Sequence, residues 1–121
     1  MKEAPETVAA AEFSCSLCGK LAGRIELTRD SERTEVRRVS FSSEMGARPP
    51  AETCERVRAA IEARDMRELF AIDLEYTPFY CPRCDLCYCG EHWKWQAFYE
   101  GCFYDCIRGH CPKGHYRMLE D

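Results

Sequence analysis

Four short pairs of metal-type ligands punctuate this chain: Cys15 and Cys18, Cys81 and Cys84, Cys89 and His92, and Cys111 and His115. Within a pair the ligands stand three or four positions apart, so one tight turn aims both side chains at the same ion, and two such pairs close a four-coordinate structural site. Eight ligands therefore make two tetrahedral sites, and any fold open to the chain must bring distant pairs together.

A structural metal also answers a problem of size. With 121 residues and 45% hydrophobic content, the chain is read as a single domain with a modest core, for which bound metal is a usual reinforcement. The ten cysteines suit that need. A disulfide framework is the competing use of so many cysteines, but the opening MKEAPETVAAAEF carries no secretory pattern, and histidine at ligand spacing has no part in a disulfide. The expected setting is the cytoplasm. No apolar stretch approaches the roughly twenty residues needed to cross a bilayer. The formal charge is -4, and each Cys3His zinc site adds about one further negative charge. Phosphate-backbone binding, which needs clustered cations, is disfavoured, although Arg24, Arg37, Arg38, Arg56 and Arg58 offer a local cluster.

Along the chain, residues 1–13 read as a flexible N-terminus, and residues 14–121 as one two-zinc domain with an insertion at about 21–76. Leu21, Gly23, Ile25 and Leu27 alternate with polar neighbours, as in a strand. After a polar turn at 29–33, residues 34–41 keep β character but break strict alternation at Arg37-Arg38, which predicts a bulged hairpin partner. After Pro49-Pro50, Cys54, Val57 and Ile61 mark one face of a helix over 51–64, and Asp65 is placed to cap a second helical segment over 65–72. Pro78 ends that region. The third ligand pair reads as opening a helix over 91–100 that Gly101 stops, with a strand at 102–107 after it. The fold class is thus α+β, with a β-hairpin and helices inserted between the first and second ligand pairs.

The four pairs can be matched in three ways: interleaved, first with third and second with fourth; ribbon-like, first with second; or nested, second with third. Cys106 and His110 compete with His115 for the last position, whereas Cys54 reads as a small buried hydrophobe. A redox dithiol would place a Cys-x-x-Cys pair at the start of a helix after a strand, and neither pair has that context. Rubredoxin-type iron would leave Cys89, His92, Cys111 and His115 idle.

Cys-x-x-Cys, four residues, then Cys-x-x-His, with a pair on either side, resembles the cross-brace of RING-type and related treble-clef zinc domains. The resemblance implies a small treble-clef fold with two Zn²⁺ ions. It further implies a surface for a ubiquitin-conjugating-enzyme-like protein, made of Leu17 before the second ligand, Trp95 or Trp93 in the helix after the third pair, and Pro112 inside the last. Arg117 falls near the place of the cation that such ligases use to hold both the conjugating enzyme and a ubiquitin-like modifier. On that resemblance the function is a non-covalent ligase scaffold, set in a bacterial conjugation pathway by the further likeness of DLEYTPFYC and GHYRMLED to small bacterial proteins. The chain departs from RING domains in its long first gap and in its Cys-x-x-Cys second pair. A second reading is a noncatalytic zinc-stabilised interaction module anchored by Trp93, Trp95, Phe98, Phe103 and Tyr104. Nucleic-acid binding ranks third. A hydrolytic zinc site ranks last, because catalytic zinc keeps an open position.

Overall fold

The computed structural model describes residues 5–31 and 33–121. Residues 1–4 of the segment expected to be flexible, and Glu32 in the expected turn, lie outside the described residues. From Glu6 onward that segment is ordered: β1 (Glu6–Ser14) pairs antiparallel with β2 (Leu21–Asp30). The expectation of fraying overlooked that Ala9, Ala11 and Phe13 fall at every second position, where they bury one face of an edge strand while Ala10, Glu12 and Ser14 stay exposed.

β3 (Arg33–Ser40) and β4 (Glu44–Ala47) complete a four-stranded antiparallel sheet in chain order. The β2–β3 register runs unbroken from Gly23 opposite Ser40 to Asp30 opposite Arg33, so the expected bulge is absent. Alternation holds because Arg38 takes an interior position beside Val36, while Val39 points outward.

Two helices cover this sheet. α1 (Ala51–Glu62) buries Cys54, Val57, Ala60 and Ile61. α2 (Met66–Ile72) begins at Asp65, whose Oδ1 accepts the amide of Glu68 at 3.1 Å. A single 3-10 turn at Leu74–Tyr76 follows, capped by Asp73 through the amide of Glu75 at 2.9 Å. Ile25, Leu27, Val36, Leu69, Phe79 and Tyr80 fill the core between sheet and helices. Phe79 lies against Gly23 so closely that a β-carbon there would collide with its ring, and that ring also stacks on Phe13 with centroids 5.7 Å apart.

The C-terminal part is built around the ligands. β5 (Tyr80–Cys81) and β6 (Leu86–Cys87) form a short hairpin that turns through Cys84. β7 (Lys94–Glu100), β8 (Phe103–His110) and β9 (Tyr116–Glu120) make a three-stranded antiparallel sheet. The helix expected over 91–100 is therefore replaced by β7, and the strand expected at 102–107 runs instead from Phe103 to His110. Aromatic-rich Trp-Gln-Ala-Phe-Tyr favours a strand, and Gly101, at φ +65°, is not a helix stop but the first position of a two-residue hairpin loop. The described residues form an α+β fold, with mostly antiparallel strands and two α-helices. No helix follows the third ligand pair among the described residues, so the element on which the RING resemblance placed Trp95 is missing. Among the described residues, no helix is long and apolar enough to cross a membrane.

Candidate metal centres

The turns and connections between these strands converge on two clusters of cysteine and histidine. Cys15, Cys18, Cys89 and His92 form one, and Cys81, Cys84, Cys111 and His115 form the other. In each, the four candidate ligand atoms lie within 4.8 Å of one another. The chain thus interleaves its pairs, first with third and second with fourth. Turns set each knuckle. Gly19, at φ +76°, closes the first by donating its amide to the carbonyl of Cys15 at 2.9 Å. Gly114, at φ +85°, closes the last by donating to the carbonyl of Cys111 at 2.8 Å. Both are left-handed conformations that glycine adopts at little cost.

The donor geometry fits a tetrahedral ion. Metal–sulfur and metal–nitrogen bonds of zinc length imply sulfur–sulfur edges of about 3.8 Å and sulfur–nitrogen edges of about 3.6 Å. In the first cluster Cys18 Sγ lies 3.6 Å from Cys89 Sγ, and His92 Nδ1 lies 3.4 Å from Cys15 Sγ and 3.2 Å from Cys89 Sγ. In the second, Cys84 Sγ lies 3.8 Å from Cys111 Sγ, and His115 Nδ1 lies 3.6, 3.2 and 3.4 Å from the sulfurs of Cys81, Cys84 and Cys111. Both histidines turn Nδ1 inward. Each site presents three thiols and one imidazole and can hold one metal ion.

Backbone amides prepare the sulfurs for charge. The amide of Leu17 donates to Cys15 Sγ, and that of His115 to Cys111 Sγ, both at 3.4 Å. Burial pushes the Cys15 thiol up, but the amides of Cys89, Leu17 and Cys18 outweigh it and bring it down to about 6. At Cys81 burial prevails, and the thiol is pushed up to about 11. The thiolate is thus favoured locally at Cys15 and Cys111, one in each site, whereas the raised thiols of Cys18 and Cys81 need the cation itself to draw off the proton.

The remaining cysteines stand apart from both clusters. Cys87 is buried in the helical core, its thiol pushed up to about 12 by burial, and it donates to Met66 Sδ. Cys54 donates to the carbonyl of Pro49 at 3.4 Å from the buried face of α1. Cys106 is buried beside Asp105, and Cys102 is exposed at the hairpin tip. His110 packs on Tyr116, with ring centroids 5.3 Å apart. Among the described residues, none of these enters a four-ligand group.

Of the residues expected to meet a partner, three lie on the surface. Leu17 is 58% and Trp95 40% exposed, and Pro112 is exposed beside Cys111. Trp95 leans on Phe41 and donates its indole N–H to the carbonyl of Gly90 at 3.3 Å. The other two are interior, and their expected surface role is corrected. Trp93 is buried edge-on to Tyr88 and donates to the carbonyl of Phe79 at 3.1 Å. Arg117 is buried too, its guanidinium donating to the carbonyls of Thr77, Tyr80 and Leu74 at 2.8, 2.6 and 3.1 Å and stacking over Phe70. Sequence position near the last ligand cannot separate a surface arginine from one that ties the 3-10 turn to β9.

One feature had no signal beyond the alternation of Val36 and Arg38. The fully buried Arg38 pairs with Glu120 Oε1 at 2.8 Å and also donates to the carbonyls of Glu75 and Ser43, each at 2.8 Å. Ser43 donates to the same Glu120 oxygen.

No curated protein and no solved structure matches the chain. It belongs to the family described as "Domain of unknown function (DUF8328)", whose model matches residues 5–121.

Proposed function

We propose that this DUF8328 chain is a noncatalytic protein-interaction module in which two structural zinc ions present an aromatic β-hairpin to a partner. Zinc is the metal that closed, tetrahedral Cys3His sites with no open position serve best. The carrying observation is the β7–β8 hairpin: Trp95, Phe98, Tyr99, Phe103 and Tyr104 are 37–76% exposed on one projecting element. Exposed clusters of large aromatics are uncommon on surfaces without a partner and supply the strongest anchors of interfaces. The test is proximity labelling in the source cell with the wild type and a Tyr99→Ser/Phe103→Ser variant. Partners should be lost in the variant while its zinc content and circular dichroism stay unchanged. Identical labelling by both proteins refutes the reading.

A second reading is a RING-like scaffold for transfer of a ubiquitin-like modifier. Interleaved ligand pairs and the exposure of Leu17, Trp95 and Pro112 favour it. The burial of Trp93 and Arg117 and the absent helix weigh against it. A cognate conjugating enzyme charged with its modifier should discharge faster in the presence of the protein, and an unchanged rate removes this reading.

A further inference from the structure

Between the inner face of the β7–β8 hairpin and the β3–β4 connection runs an open groove of about 500 Å³. Its aromatic wall is Trp95, Tyr99 and Tyr104, and Tyr99 and Tyr104 meet edge to face with centroids 6.1 Å apart. Opposite and below lie four carboxylates, on Glu44, Glu75, Glu120 and Asp121. Arg38 is the one cation lining the groove among the described residues, and its guanidinium is already spent on Glu120 and on the carbonyls of Glu75 and Ser43.

Four acids against one committed base leave the groove strongly negative, in a chain whose formal charge is already -4. A second observation points the same way. Glu120 is only 5% exposed, yet its Oε2 finds no hydrogen-bond partner among the described residues. A buried carboxylate oxygen in that state is costly and calls for a donor. The acids also act on the aromatic wall: burial first, then repulsion led by Glu120, with Glu75 and Asp121 adding to it, raises the ionisation of the Tyr104 phenol above its ordinary value, keeping that ring neutral. Neutral electron-rich rings beside carboxylates are a setting that attracts ammonium and guanidinium groups.

We propose that this groove binds a lysine- or arginine-bearing segment of a partner protein, with the cation among the carboxylates and its apolar neighbours on the hairpin. This rests on the interaction-module reading and names the chemistry of the partner. A protein segment fits better than a small free cation because the aromatic surface continues past the groove to Phe103, which is 76% exposed and would lie unused against a polyamine.

The test is fluorescence anisotropy on the zinc-loaded protein with labelled short peptides in which lysine alternates with leucine and alanine, and with counterparts carrying glutamine or glutamate instead of lysine. The lysine peptide should bind at least about tenfold more tightly than either counterpart, weaken with salt, and lose about tenfold on Glu44→Gln/Glu75→Gln substitution, which leaves the Arg38–Glu120 pair in place. Spermidine should compete only weakly. Equal binding of all three peptides, lost on Tyr99→Ser/Phe103→Ser substitution, overturns the cation preference and leaves the interaction module standing. Absence of binding by every peptide overturns the inference, as does a dimer in sedimentation that the same hairpin substitutions dissolve, since a second copy would then occupy the face.

Discussion

At the scale of single residues, two buried arginines decide how the halves of the molecule are joined. Arg38 reaches from β3 to Glu120 on β9, and Arg117 reaches from β9 to the carbonyls of the 3-10 turn. Removing one partner of a buried pair leaves an uncompensated charge, so Arg38→Met should destabilise the fold by about 3–5 kcal/mol, measured by chemical denaturation, and Arg38→Met/Glu120→Leu should recover much of that loss. Burial alone would raise the Glu120 carboxyl, but hydrogen bonds from Ser43 and Arg38 prevail and hold it below its ordinary value of 4.5. A carboxyl lowered by folding adds stability that is complete above its unfolded value and is lost as pH falls through the folded one. Thermal stability should therefore drop on acidification below about 4.5, and less so in Arg38→Met/Glu120→Leu. For Arg117, burial lowers the guanidinium to about 10, so it remains charged near neutral pH and its donors stay engaged. Arg117→Met should lower the melting temperature without reducing zinc content, whereas a purely surface role in partner binding would leave stability unchanged.

Among elements, β7 is the instructive difference between sequence and structure. Trp93, Trp95, Phe98 and Tyr99 read as a helix closed by Gly101, yet the chain forms a hairpin in which Tyr99 pairs with Tyr104 and Glu100 with Phe103. A helix would have hidden one aromatic face, whereas the hairpin lays aromatic residues on both faces and out to its tip. Sequence patterning read β2, α1 and the Asp65-capped α2 correctly because each carries a local period or cap. It found β3 but placed a bulge in it, because an arginine holds an interior position there, which polarity alone cannot signal. Gly23 on β2 tests the packing between sheet and metal region: Gly23→Ala should push Phe79 off its stack on Phe13 and cost about 1–3 kcal/mol in unfolding free energy.

For the whole molecule, interleaving makes the two metal sites depend on each other. Cys81 and Cys84 on the β5–β6 hairpin stand between the first-site ligands of Cys15 and Cys89 in the chain, so neither site can open without disturbing the other's supports. We expect two zinc ions per chain by elemental analysis, and removal by a chelator should occur in one cooperative step that melts the β7–β9 sheet, as binding energy on the order of 10 kcal/mol per ion is folding energy. Cys15→Ser should lower zinc content below two and loosen the second site, whereas Cys54→Ala, Cys102→Ala and Cys106→Ala should leave it at two. Ligand identity was legible in the sequence, since metal chemistry demands particular side chains at short spacing, and that requirement is local. Which pairs share an ion, whether Arg117 faces solvent or the core, and how Glu120 comes to rest in an acidic aromatic groove were fixed only in three dimensions, because each depends on contacts between segments that are distant in the chain.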